Sequence, residues 1–459
     1  MKIFIKIISI SAIIFFALIA IIFIYRKTSL GLDSKEIYSS NFFLIIFLFL
    51  LISIINSFLK VNFNVYLLII MISIIMSFYM FEIYLGLSKY HKTVEYHAKK
   101  KGEKFDDRSK YEFYLDYKKL NKDAVISIPP FMVHREYSKK KYKIKNLPLA
   151  GFSNRKTVFC NESGYFVDYL SDRYGFNNPD IEWNKKKQIL FLGDSYTHGV
   201  CVSEKNTITG NLRSRISKDE FGVISLGQRG NGPLSEYASL VEYSKVINPK
   251  IIFWMYYEGN DLKNLKYEKK IDILNSYLIK SKFSQNLVNK QDYLNKILEK
   301  TLINRLDFEK NTLSIVNKRW VINFLKLHHF RRFIRKIELK KDDTDYFSYK
   351  NEIIDFKTLI NKTNYYAMKN NAKLIFVYIP SYKRTNKNLS LDKKLFNYEY
   401  IIKVVEDLNI SIIDLNIDLL QKSNDPLSFY PYGLPKHFNE WGYKTISNII
   451  YQKTKKYIN

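Results

Sequence analysis

The sequence predicts an α/β fold, with an open parallel sheet covered by helices on both faces and preceded by three membrane helices. Two patterns carry this prediction. Strand-like apolar segments alternate with helical segments five times between residues 188 and 457, which is typical of parallel β-α units. Ahead of them stand three nearly continuous apolar runs, each close to the ~20 residues that cross a bilayer as a helix.

The charge balance does not indicate a nucleic-acid partner. The 459 residues include 73 Lys+Arg and 44 Asp+Glu, a formal net charge of +29. These basic residues are spread along the chain, with no zinc-finger spacing, helix-turn-helix signal or aromatic RNA-binding motif. We expect a basic solvated surface, with attraction to anionic lipid head groups or acidic polysaccharide as the functional alternative.

The membrane region is predicted to occupy residues 1–88, with helices at about 7–25, 42–59 and 65–85. The runs are apolar throughout rather than amphipathic, which disfavours core helices of a soluble protein. A signal peptide is the alternative for the first run, because Lys2 and Lys6 give it a basic start. No small-residue cleavage site follows, so an uncleaved helix is expected.

The sequence alone leaves the orientation of the chain in the membrane open. Three spans place the amino terminus and the large domain on opposite sides of the membrane. The basic cluster Lys89–Lys101 lies on the domain side, so the positive-inside rule taken literally puts the domain in the cytoplasm. Long domains translocate largely regardless of charge, which weakens that argument.

The remaining chain is predicted to form two parts. Residues 89–185 are charged and irregular and form a juxtamembrane linker with a small accessory region, in which Pro129-Pro130 stops any helix. Residues 186–459 form the α/β domain, interrupted by a Lys-rich helical insertion at 264–348. Within the insertion, Arg319–Leu339 is basic and amphipathic, and is expected to pack on its own domain, to lie on a membrane surface or to cover an active site.

The strands are predicted at Gln188–Leu192, Gly222–Leu226, Ile251–Tyr256, Lys373–Tyr378 and Ser411–Leu415. The helices that follow most of them are predicted at Ser235–Val246, Lys350–Lys369, Tyr398–Leu408 and Glu440–Tyr457.

Polar motifs directly follow the predicted strands, where open α/β sheets bind ligands. GDSYTHG, with Ser195, follows the first strand; a glycine turn with Gly230 follows the second; and EGND, with Asn260, follows the third. His437 lies on a loop before the last helix and can reach Ser195 across the sheet edge. A serine hydroxyl needs a base to take its proton, and acyl transfer needs donors for an oxyanion. The N–H groups of Ser195 and Gly230 and the amide of Asn260 could supply them.

This ordered set resembles the SGNH, or GDSL-type, hydrolase family, which is named for its Ser, Gly, Asn and His. The corresponding residues here are Ser195, Gly230, Asn260 and His437, and the resemblance covers about residues 186–457. It implies a flavodoxin-like three-layer α/β/α sandwich and acyl-ester chemistry with Ser195 and His437 catalytic and Gly230 and Asn260 in the oxyanion hole. No metal or organic cofactor is implied. Among the other histidines, only His198 stands near enough in sequence to be a rival.

The sequence departs from the family pattern at two positions. Glu258 stands where the family has a glycine two residues before the Asn. Leu434 stands where the family has an Asp three residues before the His. The site would then use a Ser–His dyad, or another acceptor would hold the imidazole: a backbone carbonyl, Asp425 or Asp414. Loss of activity, leaving a protein that only binds, is the remaining alternative.

The two cysteines, Cys160 and Cys201, have no metal-ligand spacing and are too few for a disulfide framework. Buried thiols are expected, and a single disulfide is the alternative if the domain is exported.

The function expected from these features is that of a membrane-anchored serine esterase or deacetylase, or an O-acyltransferase, acting on acyl and chiefly acetyl esters of a cell-surface carbohydrate. Such substrates are finished outside the cytoplasm, which favours a multi-pass protein of the bacterial inner membrane with an extracytoplasmic catalytic domain. The expected partners are an acylated carbohydrate and the lipid bilayer, and for transfer a membrane acyl-donor protein, because three spans are too few for an acyl-donor channel. The alternatives are a non-catalytic polysaccharide-binding or assembly protein and a cytoplasm-facing lipid esterase.

Overall fold

The computed structural model describes residues 61–138, 144–216, 220–339, 349–390 and 397–458, with a few isolated positions before residue 61. The helices are α1 Val61–Tyr90, α2 Val94–Lys100, α3 Lys110–Leu120, α4 Pro130–Ser138, α5 Ser195–His198, α6 Ile208–Arg213, α7 Pro233–Tyr243, α8 Asp261–Glu268, α9 Asp272–Ile279, α10 Gln291–Leu325, α11 His328–Leu339, α12 Lys350–Lys369, α13 Lys387–Ser390, α14 Tyr398–Glu406 and α15 Glu440–Ile458. The strands are β1 Val125–Ile126, β2 Lys156–Cys160, β3 Val167–Leu170, β4 Lys187–Gly193, β5 Phe221–Ser225, β6 Pro249–Tyr257, β7 Lys373–Ile379 and β8 Ser411–Asp414.

The main sheet has five strands in the order β5-β4-β6-β7-β8, and every neighbouring pair is parallel. All five strands predicted from the sequence are therefore confirmed, within two residues at each end. The strand order reverses direction at β4, because the chain goes first to one neighbour and then to the other. A reversal of this kind creates a crevice at the carboxyl ends of the strands, where ligands bind in open α/β sheets.

Side chains of alternate strand residues enter two separate cores, one on each face of the sheet. On one face Leu190, Trp254 and Phe376 pack against α7, α12 and α14. On the other face Phe191 and Phe253 pack against α6 and α15. Burial on both faces explains why these strands are almost continuously apolar in sequence. The result is three layers, helix, sheet and helix, as the predicted fold class requires.

A second, small sheet lies in the segment between the apolar helix and the main sheet. Its order is β1-β2-β3; β1 and β2 are parallel, and β2 and β3 are antiparallel. Helix α3 begins with a capping box, in which Ser109 and Glu112 satisfy each other's backbone N–H groups. These elements pack around a core that includes Tyr114, Phe152 and Val158 together with Leu298 of α10. The accessory segment is therefore folded and not a simple linker.

The chain divides into two compact units, of which one comprises residues up to Tyr90 with Val316–Lys341. In that unit Glu82, a buried carboxylate of α1, accepts hydrogen bonds from the backbone N–H groups of His329 and Phe330 at 2.8 and 2.7 Å. Negative charge at a helix N-terminus is favourable, so Glu82 fixes the start of α11. Phe330 also packs on Phe81. Helices α1 and α11 are thereby joined in this unit.

Among the described residues, one helix is long and apolar enough to cross a membrane, within Ile69–Tyr90. It corresponds to the third predicted span. The spans predicted at 7–25 and 42–59 lie outside the described residues apart from isolated positions. The single amphipathic helix predicted over Arg319–Leu339 is wrong, because α10 ends at Leu325 and α11 begins at His328. Leu327 between them adopts a positive φ of 48°, which a continuous helix excludes.

Candidate active site

Ser195 is the first residue of α5, directly after the carboxyl end of β4. Asp194 caps this short helix by accepting the backbone N–H of Tyr196 at 3.0 Å. The tight turn needs glycine at position 193, because a Cβ there would lie 2.0 Å from Thr197 Oγ1. The local sequence thus places the Ser195 hydroxyl, in a buried side chain, at the sheet edge.

His437 reaches Ser195 from the loop before α15. Its Nε2 lies 3.0 Å from Ser195 Oγ. The loop is fixed by Phe438, which is buried, and the imidazole itself packs on the Tyr196 ring with centroids 5.1 Å apart. The two residues that the sequence predicts as nucleophile and base therefore lie within hydrogen-bond distance.

The acid beside His437 is Glu162, which the sequence analysis did not identify. One oxygen, Glu162 Oε2, accepts both the Nδ1–H and the backbone N–H of His437, each at 3.0 Å. With Nδ1 as donor, Nε2 presents its lone pair to the Ser195 hydroxyl. Ser195, His437 and Glu162 thus have the geometry of a nucleophile, a base and an acid that orients the base.

Both earlier candidates for this acid are engaged elsewhere. Asp414 accepts from Tyr398 and from the backbone of Asn416, and Asp425 caps a short turn through Leu427 N at 3.2 Å. Leu434, at the family's Asp position, is a buried apolar residue. The imidazole is therefore held by the Glu162 carboxylate of the accessory segment, about 270 residues upstream. The site has a serine, a histidine and an acid in series, and not a Ser–His dyad.

The electrostatics of the acid suit this role. Burial raises the pKa of the Glu162 carboxyl, but its hydrogen bonds and its attraction to His437 outweigh burial and leave the pKa below its usual range. The carboxyl group is therefore ionised at neutral pH. Asp194 differs, because burial raises its pKa to about 6. Asp194 Oδ2 also lies 3.2 Å from Ser195 Oγ, a second contact that the hydroxyl has in the resting site.

A disulfide, Cys160–Cys201, ties the strand that precedes Glu162 to the segment that follows Ser195. Cys160 ends β2 two residues before Glu162, and Cys201 lies six residues after Ser195. The two cysteines were expected to be buried thiols, with a single disulfide as the alternative, and the structure has the disulfide. The same pair is the sequence signal that could have led to Glu162, because linking the cysteines brings residue 162 close to the nucleophile segment.

The proposed oxyanion donors follow the two strands that flank β4. Gly230 follows β5, and Asn260 follows β6, so both are at the same sheet edge as Ser195. Gly230 has a φ of 82°, and a Cβ there would lie 2.4 Å from the Phe131 ring, so only glycine fits. Among the described residues, no hydrogen-bond acceptor or donor engages Gly230 N–H or the Asn260 side chain, whose Oδ1 is buried. Both groups are available to a ligand.

His198 is not part of the Ser195–His437 pair. It is buried, its Nδ1 accepts the backbone N–H of Arg229 at 3.2 Å, and its Nε2 lies 3.3 Å from Tyr169 Oη. Burial lowers its pKa to about 3, so the ring stays neutral. Its contact with Arg229 holds the turn that carries Gly230.

Glu258 departs from the family pattern for a structural reason. Its carboxylate accepts Arg384 Nε at 2.6 Å and the Ser381 backbone N–H at 2.7 Å, and both charged side chains are fully buried. This ion pair fixes the segment after β7 beside β6. Removing either partner of a buried ion pair leaves an uncompensated charge. The Arg384 side chain therefore requires the Glu258 carboxylate at this position, where the family pattern has a glycine.

The arrangement can activate a hydroxyl and stabilise a developing oxyanion, which is acyl-transfer chemistry. Within the described part of the chain, no group of three or more His, Cys, Asp or Glu side chains is placed to hold a metal ion.

No protein-family model and no curated protein matches this chain. Solved structures match it distantly in fold. The acetyl xylan esterase AlAXEase has a TM-score of 0.32 and 13% identity, and the match covers 58% of this chain and 98% of that one. A lipase/acylhydrolase from Enterococcus faecalis has a TM-score of 0.31 and 13% identity, with 59% and 96% covered. A two-domain esterase active on acetylated mannans has a TM-score of 0.33 and 11% identity, with 61% and 52% covered, so the match spans about half of that protein. The similarity is one of α/β fold, and no residue role is taken from it.

Proposed function

We propose that this protein is a membrane-anchored serine esterase or O-acyltransferase that acts on acyl esters, chiefly acetyl esters, of a cell-surface carbohydrate. The observation that carries the chemistry is the hydrogen-bonded series Ser195 Oγ, His437 Nε2, His437 Nδ1 and Glu162 Oε2, with 3.0 Å at both contacts. The carbohydrate part rests on the motif resemblance of the sequence.

In the proposed reaction Ser195 Oγ attacks the acyl carbon while His437 Nε2 takes its proton. Glu162 stabilises the imidazolium that forms. The N–H groups of Ser195 and Gly230 and the Asn260 amide receive the oxyanion. His437 returns the proton to the leaving sugar oxygen, and the acyl group stays on Ser195. Water then releases the acid, or a sugar hydroxyl accepts the acyl group, so hydrolysis and transfer share this first half.

The location proposed for the catalytic unit is outside the cytoplasm, with α1 as at least one membrane anchor. The Cys160–Cys201 disulfide supports this location, because disulfides persist in oxidising compartments and are rare in the cytosol. A reporter fused to the carboxyl terminus tests it. Activity only from a reporter that works in the cytoplasm would contradict the proposal and favour the lipid-esterase alternative.

The experiment for the chemistry is hydrolysis of 4-nitrophenyl acetate by the full-length protein in detergent. We expect activity that falls to background in Ser195→Ala and in His437→Ala. Ser214→Ala is the matched control, because Ser214 is an exposed serine whose hydroxyl only bonds the backbone of Asn211. Equal rates in Ser195→Ala and the parent would contradict the assignment and favour the non-catalytic binding protein.

A further inference from the structure

The turn between β5 and α7 carries the proposed oxyanion donor Gly230, and the two N–H groups before it have acceptors. Gln228 N–H donates to the Gly193 carbonyl at 3.3 Å. Arg229 N–H donates to His198 Nδ1 at 3.2 Å. In the part of the chain that the structure describes, no acceptor takes the Gly230 N–H. The turn is thus fixed by its neighbours and leaves this one N–H group available to a ligand.

The two acceptors differ in kind, because Gly193 supplies a backbone carbonyl and His198 supplies a ring nitrogen. His198 lies three residues after Ser195 in α5, so one short helix carries both the nucleophile and this acceptor. The nitrogens of Arg229 and Gly230 stand at the two ends of the Arg229 backbone. Fixing the first nitrogen therefore limits the direction in which the second one points.

The small accessory sheet sets the orientation of the His198 ring. The ring centroid lies 4.5 Å from that of Phe159 in β2 and 5.5 Å from that of Tyr169 in β3, and all three side chains are buried. His198 Nε2 lies 3.3 Å from Tyr169 Oη. Burial lowers the pKa of His198 to about 3, so the ring is neutral and has one N–H and one lone pair. With Nε2–H directed at Tyr169 Oη, the lone pair is on Nδ1, where it accepts the Arg229 N–H.

An apolar side chain in place of His198 would fill the same space but leave the Arg229 N–H without its acceptor. An unpaired backbone donor is costly, and a turn that rotates to pair it elsewhere moves the Gly230 N–H as well. Oxyanion donors need to lie about 2.7–3.1 Å from the developing charge, and a misplacement of ~1 Å can lower a rate by about 10²-fold. The His198 acceptor therefore concerns the transition state more than the binding of the ester.

We propose that His198 is a positioning residue of the oxyanion hole: its Nδ1 fixes the turn that directs the Gly230 N–H at the oxyanion, and Tyr169 fixes the tautomer that this requires. The inference rests on the proposed function and gives a role to a histidine that takes no part in the proton transfers. It also makes the accessory sheet a support of the oxyanion hole. No bond to His198 forms or breaks in the reaction.

Two variants of equal shape separate the acceptor from the packing of the ring. His198→Asn places an oxygen where Nδ1 lies, whereas His198→Leu has the same branching and no acceptor. Both lack the ring, so loss of packing affects them alike. In 4-nitrophenyl acetate hydrolysis by the full-length protein in detergent, we expect His198→Leu to lower kcat roughly 30- to 100-fold, with KM within about threefold of the parent. His198→Asn should keep a kcat at least about fivefold above that of His198→Leu.

Inhibition by methylboronic acid tests the same geometry without turnover. Ser195 Oγ adds to boron while His437 takes its proton, and the tetrahedral anion that forms places an oxygen in the oxyanion hole. The inhibition constant should rise at least about fivefold in His198→Leu and stay closer to that of the parent in His198→Asn.

Tyr169→Phe tests the tautomer and covers the case that a His198 variant does not fold, because it removes a single oxygen atom. Without that hydroxyl the ring can carry its proton on Nδ1, where it opposes the Arg229 N–H. We expect kcat to fall about three- to tenfold with KM unchanged. Tyr117→Phe is the matched control, since Tyr117 belongs to the same accessory segment and its hydroxyl donates to Asp168 at 2.6 Å. Its kcat should match that of the parent.

Equal kcat values in His198→Asn and His198→Leu would overturn the inference, because the ring would then matter only for packing. A raised KM with an unchanged kcat would overturn it too, as would an unchanged inhibition constant beside a lowered kcat. Failure of the proposed function is a separate result, in which Ser195→Ala hydrolyses the ester as fast as the parent. That result would contradict both proposals, whatever the His198 variants do.

Discussion

Replacing Glu162 by glutamine is the sharpest test of the candidate site. Glu162→Gln keeps the side-chain length and an acceptor oxygen but removes the negative charge that lies 3.0 Å from His437 Nδ1. During attack His437 carries the Ser195 proton and becomes a cation. The attraction between the Glu162 carboxylate and the His437 cation is strongest in the transition state. The variant loses this attraction, which lowers kcat/KM.

The magnitude follows from Coulomb's law. Two unit charges at this separation attract by about 5 kcal/mol at an effective dielectric constant of ~20. The side chains of His437 and Glu162 are 22% and 18% exposed, so solvent screens part of this attraction. We expect a loss of about 3–5 kcal/mol of transition-state stabilisation, which corresponds to a decrease of roughly 10²–10⁴-fold in kcat/KM.

The assay is 4-nitrophenyl acetate hydrolysis by the full-length protein, with Ser195→Ala as the background. Asp425→Asn is the matched control, because Asp425 is one of the two acids that the sequence offers for this role, yet it is exposed and caps Leu427. Its rate should stay within threefold of the parent. Glu162 is not the acid that orients His437 if Glu162→Gln keeps more than a third of the parent rate, or if Asp425→Asn falls a hundredfold.

Two further predictions concern stability. The disulfide closes a loop of 41 residues, so the Cys160→Ser/Cys201→Ser variant should lose up to about 4 kcal/mol of unfolding free energy and melt at lower temperature; equal melting temperatures would contradict a formed disulfide. Burial lowers the pKa of His134 to about 4, compared with ~6.5 in the unfolded chain. Below pH 6.5 the unfolded state therefore binds a proton that the folded state does not bind, and this destabilises the folded state. Between pH 7 and pH 5 the parent should therefore lose about 2 kcal/mol more stability than His134→Gln, measured by denaturant unfolding; parallel losses would show that His134 is not buried as a neutral ring.

The sheet and the serine–histidine pair could be predicted because each depends on short-range sequence patterns. Strands β4 to β8 are apolar runs of strand length bounded by turns, and their side chains alternate between two cores. Ser195 and His437 follow from position, since a serine after β4 and a histidine before the last helix meet at one sheet edge. No long-range contact had to be known.

Glu162 could not be predicted in the same way, because its role depends on how the accessory segment packs on the main domain. The acids that the sequence offers for this role, Asp425 and Asp414, both precede His437 by fewer than 25 residues. Nothing in the residues around Glu162 marks a catalytic acid, as Asn161 and Gly164 form an ordinary turn through a 2.8 Å hydrogen bond. In the sequence, the signal that links this turn to the nucleophile segment is the pairing of Cys160 with Cys201, and the sequence leaves that pairing open.

The break between α10 and α11 was missed for a related reason. The apolar and basic periodicity runs across residues 319–339 without a proline or glycine, so it predicts one helix. A positive φ at Leu327 is disfavoured for a residue with a Cβ, and Glu82 compensates by capping the helix that begins after it. The partner of the cap lies almost 250 residues away in sequence, where local patterns carry no information.

The location of Glu162 changes what counts as the catalytic unit. The resemblance to SGNH hydrolases covers residues from about 186 onward, and that part contains Ser195, His437, Gly230 and Asn260. The acid, one cysteine of the disulfide and Phe131, which packs against Gly230, all belong to the segment before it. The accessory segment therefore completes the candidate site as well as joining the α/β domain to the apolar helix. A fragment that begins at residue 186 would keep the nucleophile and base but lose the charge that orients and stabilises the imidazolium.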